Sequence, residues 1–222
     1  MEIRLQQEQS VFLDALLNGN RAQASEKIRQ QLGNGLSIKA IYEEIIKPAL
    51  YRVGELWEHN QITVAEEHTA TSVAEAVMNE LYGNIVSRSR IPKKVVLACV
   101  ENEQHQVGIK MVADIFEMKG WDTYFPGANT PVYELIQYIG KIKPDVIALS
   151  ASIYFHLPVL EEMIQLIRHD YPETPILVGG QAFRHGGKEI ASRHPQITYA
   201  ENLDDLEAYI NQHGLKTPGD HE

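Results

Sequence analysis

The sequence has a single cysteine, few basic residues and no long apolar run. One thiol, Cys99, excludes an internal disulfide framework. Acidic residues outnumber basic ones by 30 to 20, and the formal net charge of −10 disfavours nucleic acid and anionic lipid as partners. No stretch approaches the ~20 apolar residues of a membrane helix, and the polar start "MEIRLQQEQS" is unlike a signal peptide. We therefore expect a cytoplasmic protein that binds neither membranes nor nucleic acid directly.

The first part of the chain has the pattern of a small helical bundle. The chain has 222 residues, of which 44% are hydrophobic, so it can build more than one core. In residues 1–87 apolar side chains recur at helical spacing, as at Phe12 and Leu16. Thr63 and Glu66 match a capping box at the start of a further helix. These features predict a helical bundle that covers residues 1–87.

From Lys94 onward the pattern is that of an α/β domain. Short strand-like runs occur as "KVVLACV", "DTYFP", "DVIALSA", "PILVGG" and "ITYA", and helical segments separate the first four. This alternation predicts a flavodoxin-like, doubly wound, five-stranded parallel sheet over residues 94–215. We interpret residues 88–93 as the linker between the domains and residues 216–222 as a disordered tail.

The stretch "ENEQHQVG" is the most informative of the second half. It follows the first predicted strand, and ligands bind outside the carboxyl ends of strands in such folds. A phosphate site does not fit, because there is no G-x-G-x-x-G and "GGKE" lacks the Ser or Thr of a P-loop. A receiver domain would need a phosphorylatable Asp where "IALSAS" offers Ser150 and Ser152. A carboxylate beside a histidine, as in Glu103 and His105, suits a metal-binding imidazole.

Three motifs together resemble the cobalamin-binding domain of methionine synthase, corrinoid methyl carriers, base-off mutases and cobalamin-dependent photoreceptors. The family pattern is D-x-H-x-x-G, then S-x-L, then G-G. Here Glu103 to Gly108 matches the first motif with Glu in place of Asp, and Ser152 replaces Leu in the second. The family's spacing is also kept, with residues 109–149 and 153–178 between the motifs.

The resemblance implies a role for each of these residues. The cofactor's own base would be displaced, and His105 would become the lower axial ligand of cobalt. Glu103 would orient His105, Gly108 would leave room for the nucleotide tail, and Ser150 would hydrogen-bond that tail. The whole set of implied cofactor contacts in this half is Glu103, His105, Gln106, Gly108, Ser150, Ser152, Gly179 and Gly180.

Each motif alone also has an ordinary structural explanation. A single histidine after a strand is commonly a surface or capping residue, and a single Gly-Gly is commonly a turn. The joint spacing favours the site. The remaining histidines without such a context are interpreted as surface or packing residues: His59, His156, His169, His185, His194, His213 and His221.

A second candidate site lies in the helical half, in "LWEHNQITVAEEH". Val64, Glu67 and His68 fall on one helix face, although a buried histidine or an exposed charged pair would explain that pattern equally. The stretch resembles the cap of adenosylcobalamin photoreceptors related to light-dependent repressors of carotenoid synthesis. That resemblance implies that Trp57 and Val64 pack on the adenosyl group and that Glu67 and His68 contact it. "GANTP" and "VGGQA" also look like photoreceptor segments.

Two departures from those photoreceptors bear on function. A histidine directly after the tryptophan can take the upper cobalt position in that family, whereas Glu58 stands there and His59 is one position later. Such repressors also carry a winged-helix domain before the cap. This chain starts in the cap and is acidic, so we do not expect it to bind DNA itself.

Three functions are compatible with these implications. The first hypothesis is a light-responsive adenosylcobalamin module that signals to a protein partner, such as a regulator or kinase, or to a second copy in a homo-oligomer. The second is a corrinoid protein that carries a methyl group as methylcobalamin. The third is a store or sensor of cobalamin. A mutase would need a substrate barrel of ~250 residues, and no nucleophile–base pair stands out, so we do not expect an enzyme.

Overall fold

The computed structural model describes residues 2–214, with side chains from residue 8 onward. The predicted disordered tail, residues 216–222, lies outside the described residues. The chain divides into two compact units, residues 1–85 and residues 86–222. The division lies slightly before the predicted end of the helical half at residue 87.

The first unit is helical. Its elements in chain order are α1 (Glu2–Leu17), α2 (Arg21–Gly33), α3 (Ile38–Ile41), a π-helical turn (Tyr42–Ile46), α4 (Lys47–Glu58), α5 (Val64–Glu80) and α6 (Tyr82–Ile85). Its core is formed by buried apolar side chains of these helices, among them Phe12, Leu16, Ile28, Tyr42, Ile45 and Val77. The helical pattern of the sequence therefore reflects which faces are buried.

Two local signals explain where α4 and α5 begin. Thr63 caps α5, because its hydroxyl accepts from Glu66 N at 3.2 Å and the Glu66 carboxylate accepts from Thr63 N at 2.7 Å. Pro48 lies in the first turn of α4 and has no backbone N–H, so the regular helical hydrogen bond is missing at this position. The preceding π-helical turn, in which Lys47 N donates to Tyr42 O, connects α3 to α4 without an intervening loop.

The second unit is an α/β domain. Its elements are β1 (Lys94–Cys99), α7 (Val107–Met118), β2 (Asp122–Tyr124), α8 (Val132–Ile142), β3 (Val146–Ser150), a 3₁₀ turn (Tyr154–His156), α9 (Leu157–Asp170), β4 (Ile176–Gly179), a 3₁₀ turn (Gln181–Arg184), α10 (Lys188–Arg193), β5 (Ile197–Tyr199) and α11 (Leu203–Gly214). All strand pairs are parallel, in the order β2-β1-β3-β4-β5. The predicted doubly wound fold is confirmed.

The strand register brings the three sequence motifs to one edge of the sheet. Cys99 at the end of β1 pairs with Ser150 at the end of β3, and Ser150 pairs with Gly179 at the end of β4. Carboxyl ends of parallel strands share one edge, so segments far apart in sequence become neighbours there.

In the described part of the chain, no helix is both long and apolar enough to cross a bilayer.

Candidate functional site

The candidate site is organised around Glu103, which lies in the loop between β1 and α7. Its side chain is fully buried. Glu103 Oε1 accepts from His105 N at 3.1 Å and from His105 Nδ1. Glu103 Oε2 accepts from the backbone nitrogens of Ser152 and Ile153 and from His156 Nδ1, each at 3.1 Å. The carboxylate therefore joins the loop after β1 to the turn after β3.

These contacts hold Glu103 in its ionised form. Burial by itself raises the pKa of the Glu103 carboxyl, because it removes water from the charged oxygens. The side-chain and backbone hydrogen bonds of His105, its electrostatic interaction with the carboxyl and the hydrogen bond of His156 outweigh burial and lower that pKa to about 2. An ionised carboxylate only accepts hydrogen bonds, which means that both histidines present an Nδ1–H to it.

His105 has the geometry of a metal-ligating histidine. Its side chain is 48% exposed, while its Nδ1 is hydrogen-bonded to buried Glu103. With the proton on Nδ1, neutral imidazole carries its lone pair on Nε2, and a carboxylate on Nδ1–H increases the basicity of that nitrogen. Below it, Cys99 Sγ donates to the His105 carbonyl at 3.6 Å. Burial, followed by the charge of Glu103, raises the pKa of the Cys99 thiol to about 12, so this thiol stays protonated.

His156, which the sequence analysis interprets as a surface or packing residue, takes part in the Glu103 network. It lies at the end of the 3₁₀ turn after β3, its side chain is only 19% exposed, and it is hydrogen-bonded to Glu103. The two residues are far apart in the sequence, and only the pairing of β1 with β3 brings them together. The one available signal was its position shortly after the Ser150 motif.

Ser150 and Gly108 leave space and hydrogen-bonding capacity beside this network. Ser150 is buried at the end of β3, at the same sheet edge as Cys99 and Gly179. Gly108 lies in the first turn of α7, and a Cβ atom built there would meet nothing within 4 Å. A polar ligand group at this edge would find a serine hydroxyl that can both donate and accept a hydrogen bond. Gln106 is half-buried and occupies the N-cap position of α7.

Gly179 and Gly180 have a structural reason that is independent of any ligand. Gly180 has a φ of +115°, and a Cβ atom there would lie 2.2 Å from Ala151 O. A Cβ atom on Gly179 would lie 3.0 Å from Ala200 O. A side chain at Gly180 would separate β4 from the turn after β3, so the protein's own backbone already requires glycine there.

The candidates in the helical unit are more exposed. Trp57 at the end of α4 is 46% exposed and Val64 at the start of α5 is 50% exposed. Glu67 is mostly buried and accepts from Thr71 Oγ1 at 2.9 Å, while His68 is 74% exposed with Nε2 3.5 Å from Glu67 Oε2. Trp57 and Val64 are thus partly exposed apolar side chains, and Glu67 and His68 form an acid–histidine pair. His59, considered above as a nearby histidine, has its Nδ1 2.7 Å from Glu55 O.

Comparison with known protein families assigns both halves of the chain. Residues 93–209 match the B12 binding domain, and residues 9–82 match a second family that is also described as a B12 binding domain. The chain belongs to the B12-binding family. The resemblance inferred from the three motifs is confirmed, and its cobalamin ligand class with it.

Curated relatives of this B12-binding chain include two regulators of Myxococcus xanthus. It is 29% identical to the HTH-type transcriptional repressor CarH over 145 residues, and this alignment covers 64% of this chain and 48% of CarH. It is 27% identical to the HTH-type transcriptional repressor CarA over 180 residues, and this alignment covers 80% of this chain and 59% of CarA. The chain thus spans about half the length of these relatives.

Among solved structures, the monomethylamine corrinoid protein of Methanosarcina barkeri has the same fold. The TM-score is 0.78 at 15% sequence identity, and the match covers 93% of this chain and 98% of the corrinoid protein. The ligand site described above fits a corrinoid, because an oriented imidazole, a serine hydroxyl and an open helix start lie at one sheet edge.

Proposed function

We propose that this chain binds cobalamin with His105 as the lower axial ligand of cobalt and acts as a regulatory module that responds to the state of the cofactor. The observation that carries this proposal is the buried Glu103 carboxylate, which fixes the His105 Nδ1–H. Such an orientation needs no rearrangement when cobalt binds, so the ligand geometry is set by folding. Ser150 and Gly108 are proposed to contact and accommodate the nucleotide tail.

We further propose that the preferred form is adenosylcobalamin and that the signal is light. Support comes from the similarity to CarH and CarA and from the photoreceptor-like sequence around Trp57. An alkylcobalamin supplies a cobalt–carbon bond that is weak and absorbs visible light. Trp57 and Val64 would contact the upper axial group with their exposed apolar surfaces, and Glu67 would accept hydrogen bonds from it.

The output of the module is proposed to be a protein contact and not a chemical product. Loss of the upper group would remove the apolar surface that covers Trp57 and would favour a different conformation of the helical unit. The protein that binds the altered conformation would be a protein partner or a second copy of the chain. The acidic net charge of −10 disfavours direct contact with a nucleic acid backbone.

A methyl carrier is the second candidate function. It is favoured by the fold shared with the monomethylamine corrinoid protein, which extends over both units of this chain. A carrier would use His105 and Glu103 in the same way but would have no use for an adenosyl-binding surface at Trp57. The two functions therefore differ in the upper group that the protein prefers.

The test is a visible absorption spectrum of the purified protein with adenosylcobalamin, before and after green light, with the elution volume measured in both states. We expect a dark spectrum of bound alkylcobalamin, an irreversible change on illumination and a shift in elution volume. A preference for methylcobalamin with no light-dependent change in size would support the carrier. Absence of any bound cobalamin would overturn both functions.

A further inference from the structure

Asn129 connects the loop that carries Glu103 to the loop after the neighbouring strand, β2. It belongs to the loop between β2 and α8, and β2 is the edge strand next to β1. The Asn129 side chain accepts from Asn102 N at 3.0 Å, and Asn129 N donates to Glu103 O at 3.1 Å. These two bonds enclose the peptide between Asn102 and Glu103 from both ends.

The backbone at this contact requires particular residues. Asn102 has a φ of +67° and Asn129 a φ of +54°, and both therefore lie in the left-handed region. Asparagine is among the few residues besides glycine that adopt this region readily. The left-handed turn at Asn102 directs the chain so that the Glu103 side chain points to the turn after β3, where it meets Ser152, Ile153 and His156.

Glu103 is therefore held from two sides. Its carbonyl is held by the loop after β2, and its carboxylate is held by the turn after β3. The His105 imidazole depends on this carboxylate for its orientation. A shift of the Glu103 backbone would displace the carboxylate and, through it, the ring.

We propose that Asn129 is a positioning residue for the lower axial ligand: its paired hydrogen bonds fix the backbone of Glu103 and thereby the orientation of His105. This inference rests on the proposed role of His105 in cobalamin binding. Nothing in it requires Asn129 to touch the cofactor. The prediction is that the Asn129 side chain affects His105 even when no cobalamin is present.

The test compares Asn129→Gly with Asn129→Asp in the full chain. Glycine accepts a φ of +54° but removes the acceptor for Asn102 N, whereas aspartate keeps an acceptor oxygen. Lys143→Gly is the control, because Lys143 also has a positive φ of +53° in the same unit but lies at the end of α8. It reports the general effect of glycine at a left-handed position.

Three quantities are measured, and the first of them, cobalamin affinity, is obtained by spectrophotometric titration. In the ligand-free protein, nitrogen-15 NMR detects the His105 Nδ1–H, which a buried carboxylate should protect from exchange with water. In protein loaded with cob(II)alamin, electron paramagnetic resonance detects coupling of cobalt to the nitrogen of a lower imidazole. We expect Asn129→Gly to lose the protected Nδ1–H signal, to weaken the nitrogen coupling and to weaken cobalamin binding about fivefold. Asn129→Asp and Lys143→Gly should retain all three.

The outcomes separate this inference from the proposed function. An unchanged Nδ1–H signal in Asn129→Gly, with affinity within about twofold of the unsubstituted protein, would overturn the positioning role. A protein that binds no cobalamin would overturn the proposed function instead, and the ligand-free NMR comparison would still decide whether Asn129 positions His105. Equal losses in Asn129→Gly and Lys143→Gly would also reject a specific role for Asn129.

Discussion

The two units of this protein build their candidate sites in opposite ways. In the α/β unit, Glu103 is fully buried and accepts five hydrogen bonds, from His105, Ser152, Ile153 and His156. In the helical unit, Trp57 and Val64 are about half exposed. A buried charge must be fully satisfied for the chain to fold, whereas exposed apolar side chains need no partner.

This difference suggests separate contributions of the two units to cofactor binding. A network that folding itself completes provides a rigid attachment point, and we assign to it most of the affinity for the cofactor. An exposed apolar surface contributes only when a ligand covers it, and we assign to it the discrimination between upper axial groups. Substitutions in the two units should therefore change different measured quantities.

The largest effect is expected for His105→Ala. Removal of the proposed cobalt ligand should weaken binding of every cobalamin by about 100-fold or more, since even residues that only support a metal ligand are worth 10–100-fold. The free energy of unfolding should also fall by about 1–3 kcal/mol, because the buried Glu103 carboxylate loses the Nδ1–H of His105. Spectrophotometric titration gives the dissociation constants. His169→Ala, an exposed histidine in the last turn of α9, is the matched control; equal affinities in the two variants would remove His105 from the site.

Glu103→Gln should reduce both affinity and stability. The glutamine amide would place a donor against the hydrogen-bond donors that now converge on the carboxylate, and the buried network would lose its charge. We expect cobalamin binding to weaken about 10–100-fold and the free energy of unfolding to fall by about 2–4 kcal/mol. Glu103→Asp keeps the charge and tests whether the extra methylene is needed to reach the turn after β3.

The same carboxylate predicts the direction of a pH dependence. The pKa of Glu103 is lowered from 4.5 to about 2 in the folded protein, so the folded state binds a proton less readily than the unfolded state. The resulting stabilisation is present above pH 4.5 and is lost as the pH falls from about 4.5 towards 2. Urea denaturation across this range should show a smaller pH effect in Glu103→Gln. An identical pH profile in both proteins would contradict the assignment.

A smaller effect is expected for His156→Ala. The Nδ1–H of His156 is one of the five donors to Glu103, and its loss leaves the other four in place. We expect cobalamin affinity to fall about tenfold. His156→Asn should restore most of it, because the asparagine amide can place an N–H near the position of Nδ1. Failure of the asparagine to restore affinity would indicate that ring packing matters and not the hydrogen bond.

The sequence predicted the fold and the position of the site better than the connections within it. The five strands and the capping box at Thr63 follow from local patterns of apolar and polar residues, and local patterns are visible in a sequence. The pairing of Glu103 with His105 is also local, since the two are separated by one residue. The position of the three motifs at one edge followed from the parallel order of the strands.

What could not be predicted depends on contacts between distant segments. His156 meets Glu103 because β3 lies beside β1, and Asn129 meets Asn102 because β2 lies on the other side. Neither contact leaves a pattern in the local sequence. The Gly-Gly motif at the end of β4 is visible in the sequence, whereas the close approach of Ala151 O to Gly180 is a property of the folded backbone.

The smallest effect, and the sharpest test of the division between the units, is expected for Trp57→Ala. Trp57 is 46% exposed, so its removal should leave stability nearly unchanged. If this indole covers the upper axial group, binding of adenosylcobalamin should weaken about fivefold, while binding of hydroxocobalamin, which lacks a large upper group, should not change. Tyr82→Ala, which removes an aromatic side chain that is 60% exposed in the same unit, is the control. Equal losses for both cobalamins would place Trp57 with the general binding residues and would end the proposed division.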